Sequence, residues 1–377
     1  MTAIEEPVPA KNTTRTVDPK TEIESEVTKC LSSTPYKCLS LKQLGGGIGN
    51  FTYRGFLHSQ LSDNQKSVIV KHGRRYDLTR TILMPVARCA AETASLQLMH
   101  GSSFKHANLS IRTPGHLYLD TQTRTQVIED IPDCETLRDY LLSNAAQAIP
   151  STRASTIGQG LGLWLSELHA LDWSQIDEKV KMALDDNEAG IKEGMKMAFD
   201  LAIDAFSDDP LARECVVQIF GPDNPRNRGM IHGDFTTRNI LIQSSPRGAT
   251  EDHINLAVID WEFSRHGCLA SDLASMIGFL YIQWKFEDTP SAELVLRDFI
   301  LGYVRGHGPL SEELVFRTAG LMGILLLVWN RLKLIEGEKT EARARDINVC
   351  TREFIVMGSQ KDLEWLSNSF LSELLRD

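Results

Sequence analysis

Apolar residues in the first third of the chain come in short, closely spaced runs, and beyond it they recur every three or four positions. "YKCLSLKQL" (36–44) leads into the glycine run "GGGIGN" (45–50), then "FTYRGFL" (51–57), a polar turn, and the apolar run "SVIVKH" (67–72). This punctuation predicts strands joined by turns. "MPVARCAAETASLQLMH" (84–100) shifts to a helical period, with Pro85 suited to a first turn and Cys89, Glu92, Leu96 and Met99 on one stripe. "HLYLDTQTRTQVIEDI" (116–131) reads as a hairpin with two alternating arms. Past Glu129–Cys134 the texture is helical. "STIGQGLGLWLSELHAL" puts Leu161, Trp164, Leu165 and Leu168 on one face, and further helical stretches run from Asp177 to Val217. Two strand-like pieces interrupt the helices, "MIHGDFTTRNILIQ" (230–243) and "INLAVIDWEF" (254–263). The pattern therefore divides the chain into a leader over residues 1–20, a small sheet-rich lobe over 21–130 and a large helical lobe over 131–377. The leader is rich in Pro, Thr and charge and lacks an apolar run, which predicts disorder. No repeat of solenoid length is visible.

Composition narrows the function classes. The 377 residues are 42% hydrophobic and 24% charged, an ordinary globular balance, and the net charge is -10. A nucleic-acid binder would carry a basic footprint, so nucleic acid is not an expected partner. The seven cysteines are scattered without a C-x-x-C pair, which suggests neither a zinc ribbon nor a redox dithiol. With no secretory signal pattern, reduced thiols and a cytoplasmic location are expected. "AGLMGILLLVW" (319–329) is too short for a membrane span, which needs about 20 residues, and reads as a buried helix.

Four pieces carry chemistry. In "HGDFTTRN" an Asp and an Asn lie five positions apart, Asp234 and Asn239. Phosphoryl transfer needs a group to take the acceptor hydroxyl's proton and ligands for magnesium, and this pair can supply one of each. The apolar flanks, Met230-Ile231 and Ile240-Leu241-Ile242, suit a buried hairpin carrying a polar turn, and an ordinary turn between strands is the plain alternative. Asp260 ends the apolar run "LAVID", where a carboxylate can hold magnesium, with Glu262 as a second oxygen ligand; capping of the next segment is the alternative. Lys71 stands inside an apolar strand, which is costly unless it is paired or faces a ligand. A phosphate-binding lysine with Glu92 as partner explains it, and so does an edge-strand lysine that resists aggregation. The glycine run at Gly46 and Gly47, with Asn50, offers backbone amides to phosphates, although it is neither G-x-G-x-x-G nor a Walker loop. Asp272, in "SDLA", reads either as a hydrogen-bond partner of the 232–239 loop or as a helix cap. His169 reads as a helix-end structural residue, and His232 as an orienting one.

The order of glycine run, Lys71, Glu92, "HGDFTTRN" and "IDWE", together with "WLSELHAL" and "SDLA", resembles the aminoglycoside phosphotransferase and choline kinase superfamily over roughly residues 35–340. "GNFTYRG", "SVIVKHG" and "VIEDI" look most like methylthioribose kinases and fungal 4-hydroxytryptamine kinases. Asn239 differs from the Ser of the former, and "HGDF" differs from the form found in the latter. The resemblance implies an α+β, bilobal protein-kinase-like fold, with a small antiparallel sheet and one main helix in the N-lobe and a mostly helical C-lobe. It implies transfer of the ATP γ-phosphate to a hydroxyl of a small metabolite, amine-bearing or sugar-like. Asp234 would be the base, Asn239 and Asp260 would bind Mg2+, and Lys71 and Glu92 would form the phosphate-positioning pair. Adenine would lie against backbone at Glu129 and Ile131, and Trp284, Trp329 or Arg331 would wall the acceptor. Two other functions fit the same motifs, a catalytically silent nucleotide-binding protein and an antibiotic-modifying phosphotransferase.

Overall fold

The computed structural model describes residues 19–45, 50–61, 64–74, 87–143, 149–243, 253–332, 335 and 341–376. Contacts divide the chain into two units, 1–82 with 117–130, and 83–116 with 131–377.

The first unit is a five-stranded sheet. Its strands are β1 (Cys38–Gln43), β2 (Asn50–Leu57) and β3 (Ser67–Gly73), joined by two later strands at 125–129 and 116–120 in the order β1, β2, β3, 125–129, 116–120. A helix that the hydrophobic pattern did not announce, α1 (Pro19–Leu31), packs Ile23, Val27 and Leu31 against Tyr53, Val68, Val70 and Val127. Its residues mix charge and apolarity too evenly to stand out by periodicity, and only the sheet shows which face is inward. β3 is paired on both sides, with Lys71 opposite Thr52 and Gln126. An edge-strand role for Lys71 is thereby excluded, and its side chain is 8% exposed. The neighbouring His72 is buried, 2.9 Å from Thr125 Oγ1 through Nδ1 and 3.5 Å from Glu26 through Nε2. Burial, then the Arg74 charge, pushes this imidazole down to about 4. Asp130, where the chain leaves the unit, accepts from Arg54 at 3.0 Å and Ser67 at 2.6 Å.

The second unit begins with α2 (Arg88–Leu98), a hairpin of β4 (Ser103–His106) and β5 (Leu109–Arg112), and continues after β6 (His116–Asp120) and β7 (Thr125–Glu129) of the first sheet. The β4–β5 hairpin was not marked by any turn signature. It includes Ala107 at positive φ, a conformation that nothing about alanine announces. β8 (Cys134–Thr136), α3 (Leu137–Ser143), α4 (Ser151–His169), α5 (Glu178–Ala205) and α6 (Pro210–Ile219) follow, then β9 (Arg228–Ile231), β10 (Ile240–Gln243), β11 (Ile254–Val258) and β12 (Arg265–Cys268). The chain closes with α7 (Ala270–Phe286), α8 (Pro290–His307), α9 (Glu312–Arg331), α10 (Glu341–Gln360) and a short helix at 363–368. The second sheet runs β4, β5, β11, β10, β8, with β11 parallel to β5.

The apolar flanks of the "HGDFTTRN" loop do not form a hairpin. β9 pairs with β12, whereas β10 pairs with β11 and β8, so the loop spans two sheets. Short apolar runs show that strands exist, but not which partners they take. The helices pack tightly where side chains are absent. A Cβ on Gly162 would lie 2.2 Å from the Phe299 carbonyl, so α4 and α8 approach at backbone distance. The predicted face of α4 is buried throughout, at Leu161, Trp164, Leu165 and Leu168. Residues 319–329 lie within α9 with Ala319, Met322, Leu326 and Leu327 buried, and no helix among the described residues is long and apolar enough to cross a membrane.

Candidate active site

Asp234 and Asn239 sit at the two ends of a loop held from below. The backbone N–H groups of His232 and Gly233 donate to the two carboxylate oxygens of Asp272, each at 2.8 Å. His169 Nε2 stands 3.3 Å from the same carboxylate, and its Nδ1 stands 2.8 Å from the Tyr303 hydroxyl. Burial pushes the Asp272 carboxyl up, yet the bond and charge of His169 and the backbone N–H of His232 outweigh it. The net shift is downward, and the group stays ionised. Asp272 does not cap its own helix, since α7 begins at a residue without a side-chain cap. The helix-cap reading therefore gives way to the loop-holding one.

Gly233 is needed where it stands. Its φ is +84°, and a Cβ there would fall 2.2 Å from the Phe263 carbonyl. His232 is buried with Nε2 3.0 Å from the Ile259 carbonyl, so Nε2 carries the proton and Nδ1 accepts from Asp234 N at 3.3 Å. This histidine ties the loop to the end of β11. Beneath it Trp261 packs at 4.7 Å between ring centres, and Trp164 stacks on Phe235 at 5.5 Å.

The Asn239 side-chain amide donates to both the Asp234 carbonyl at 2.9 Å and the Asp234 carboxylate at 2.7 Å. With the nitrogen so engaged, the amide oxygen is the atom Asn239 can offer to a cation. Asp234 is partly accessible at its surface but lies deep among protein atoms. Burial, then the Asp260 charge, pushes its carboxyl up to about 6, against the Asn239 bond and the Arg238 charge.

Asp260, two residues past the end of β11, is in a left-handed conformation, φ 66° and ψ 59°, and a single 3-10 turn carries Trp261 and Glu262. Here the structure groups residues that the sequence read separately. Glu92, Asp260 and Glu262 each place a carboxylate oxygen within 4.8 Å of the others, with Glu92 and Glu262 buried. Glu92 also accepts from Trp261 N at 3.3 Å. Three oxygen donors of one sign, close together and largely out of water, match a hard divalent cation such as Mg2+ in chemistry. Lys71 lies in the first unit and Glu92 in the second.

Several supporting residues carried no sequence signal. Arg88, 1% exposed and one helical turn before Glu92, lies 3.8 Å from Glu262 through Nε. Asn187, in the middle of α5, donates to the Glu262 and Ser264 carbonyls at 2.9 and 3.2 Å. Ser95 meets the Ser264 hydroxyl at 2.7 Å. A buried arginine on a helix beginning "RCAAE" and an Asn within "LDDNEAG" could have been flagged as polar residues at inward positions, but nothing in the spacing says what they hold. Other predicted residues fall elsewhere. Gly46 and Gly47 lie outside the described residues, as do residues 84–86, and Asn50 pairs through its backbone with Gly73. Glu129 ends β7 opposite Val68, and Ile131 is buried at the start of the second stretch of unit two. Trp329 is buried against Phe279 at 4.0 Å, Trp284 is half-buried beside Lys285, and Arg331 is exposed.

The fold is α+β and of the bilobal protein-kinase-like class. It matches an ethanolamine kinase of Plasmodium vivax at a TM-score of 0.50 and 13% identity, over 91% of this chain and 89% of that one. It matches the GDP complex of aminoglycoside 2'-phosphotransferase-IIIa equally, at 0.50 and 14%, over 91% and 99%. A model of the phosphotransferase enzyme family covers residues 58–311, more than half of the chain, and the protein belongs to that family. It is a phosphotransferase whose acceptor is a hydroxyl group. Two fungal relatives span most of its length. A Cladobotryum phosphotransferase, FrzJ, is 26% identical over 90% of this chain and 92% of its own. The 4-hydroxytryptamine kinase of Psilocybe cyanescens is 25% identical over 77% and 80%.

Proposed function

We propose that the protein transfers the γ-phosphate of ATP to a hydroxyl of a small metabolite, with Asp234 as the base. The observation that carries this reading is the pair of hydrogen bonds that the Asn239 amide donates to Asp234. It fixes the carboxylate in place and leaves the amide oxygen for a cation. The acceptor hydroxyl gives its proton to Asp234, its oxygen bonds to the γ-phosphorus, and the bond from phosphorus to the ADP oxygen breaks. Asn239, Asp260 and Glu262 would hold Mg2+, which would supply positive charge against the phosphates. From the first unit, Lys71 contributes to phosphate binding and Glu129 to the adenine site. The raised pKa of Asp234 suits a proton acceptor that works near neutrality.

The names of the relatives place hydroxyindoles, amino alcohols and aminoglycosides among the first acceptors to try. ADP release is measured across a panel of these with sugars and simple alcohols, and the product is identified by mass spectrometry. With the best acceptor, Asp234→Asn is expected to lower kcat by about 100- to 10,000-fold while MgADP still binds. Full phosphotransfer by that variant would sink the assignment of Asp234.

A further inference from the structure

α5 turns one stripe of its length inward, with Leu184 and Ile191 buried on it. Asn187 lies on the same stripe, three residues after Leu184 and four before Ile191, and is 0% exposed. Packing alone calls for an apolar side chain at such a position, since a buried amide costs stability unless its N–H groups find acceptors. The Asn187 nitrogen finds two in one short segment, the Glu262 carbonyl at 2.9 Å and the Ser264 carbonyl at 3.2 Å. That segment is a three-residue 3-10 turn, Trp261–Phe263, which closes where Ser264 N donates to the Trp261 carbonyl at 3.1 Å. Turns this short hold themselves poorly.

Two helices secure the turn from outside. From α2, Glu92 accepts from Trp261 N at 3.3 Å, Arg88 lies 3.8 Å from the Glu262 carboxylate, and Ser95 meets the Ser264 hydroxyl at 2.7 Å. From α5, Asn187 takes the carbonyl of Glu262 itself and that of the residue two further on. Glu262 is thereby held at both ends, its main chain by Asn187 and its side chain beside Arg88. Its carboxylate stands within 4.8 Å of those of Glu92 and Asp260. Magnesium demands near-ideal placement of its ligands, so a carboxylate on an unsecured turn would serve it badly. We propose that Asn187 is a positioning residue for the cation, setting the direction of the Glu262 carboxylate through the Glu262 and Ser264 carbonyls. The assignment rests on the reading above, in which Glu262 would hold Mg2+. Asn187 touches neither metal nor substrate in this role, and no bond is made or broken at it.

The test is a double-mutant cycle on the full chain, read as affinity for Mn2+, a paramagnetic stand-in for Mg2+, at saturating ADP. Free Mn2+ is measured by electron paramagnetic resonance. Glu262→Gln should weaken Mn2+ binding by about tenfold or more. Asn187→Leu, close to Asn in size but without its N–H groups, should weaken it by about tenfold. With Glu262→Gln already present, Asn187→Leu should add less than about twofold, because the carboxylate it places is gone. A general loss of stability lowers the unfolding temperature but does not produce this coupling. If Asn187→Leu does not fold, Asn187→Ser enters the same cycle, with a smaller loss that also vanishes beside Glu262→Gln. Unchanged Mn2+ affinity in the Asn187 variant, or losses that simply add in the double variant, would overturn the role of Asn187 and leave the kinase reading intact. Full Mn2+ affinity in Glu262→Gln would remove Glu262 from the cation site, and the role of Asn187 with it. Absence of both ADP and Mn2+ binding by the unaltered protein would overturn the kinase reading itself.

Discussion

The two polar loops of the second unit handle buried charge in opposite ways. In residues 232–239 charge is met by matched donors. Asp272 takes two backbone N–H groups and faces His169, and Asn239 donates twice to Asp234. In residues 260–262 charges of one sign are gathered, with oxygens of Glu92, Asp260 and Glu262 within 4.8 Å of one another and Arg88 at 3.8 Å from Glu262. Buried carboxylates satisfied by N–H groups stabilise a loop in the protein alone, whereas carboxylates gathered within a few ångströms favour the uptake of a cation. The first loop is therefore shaped by folding. The second carries the donor set proposed above for a cation.

The sharpest way to break that comparison is at Asp272. Asp272→Ala leaves two backbone N–H groups and His169 without their buried acceptor. It is expected to cost about 3–5 kcal/mol in urea unfolding, with activity falling in parallel. An unfolding midpoint equal to that of the unaltered protein would show that the loop is shaped by something else.

A smaller effect is expected from the acidic segment, and with a different signature. Mg2+ at a hundredfold excess over its Kd should stabilise the unaltered protein by about 2.7 kcal/mol. Asp260→Asn and Glu262→Gln should abolish most of that gain. Equal Mg2+ stabilisation in both variants would contradict the cation-binding role.

The smallest effect is the pH response of Asp234. Its folded pKa of about 6 lies above the ordinary 3.8, so ionising it costs the folded state. Its contribution to stability is fully present below about 3.8 and is lost as pH rises through about 6. Metal-free protein should show this component in unfolding measured from pH 4 to 7, and Asp234→Asn should remove it. As the proposed base, Asp234 must be ionised to work, and a bound cation beside Asp260 would lower its pKa, so the acid limb of kcat/KM should lie below about 6. A response unchanged by Asp234→Asn would assign the titration to another group.

Much of this was legible in residue order. Lys71 in an apolar run, the Asp–Asn spacing and the Asp of "LAVID" are local patterns: Lys71 lies within β3, Asn239 stands just before β10, and Asp260 lies two residues past β11. Where the reading failed, the information was not local. The flanks of "HGDFTTRN" looked like one hairpin because both are short and apolar, and pairing across sheets depends on strands far along the chain. Asp272 was ambiguous because an Asp near a helix start is also a common cap. Its two N–H donors come from residues 40 and 39 positions earlier. Arg88, Asn187 and Ser95 gave no sign at all, being ordinary helix residues until packing turned them toward the 260–264 segment.

The sequence by itself determined many of the strands and helices, which residues carry ionisable chemistry, and the family to which their order points. Those properties follow from side-chain periodicity and short spacing, which the chain keeps in any conformation. Only the tertiary structure decided that Glu92 joins Asp260 and Glu262, that Asp272 holds the loop, and that Asn187 reaches the Glu262 carbonyl. Each of these is a meeting of segments distant in the chain, and the energy of buried charges and stacked rings depends on distances that no local pattern contains.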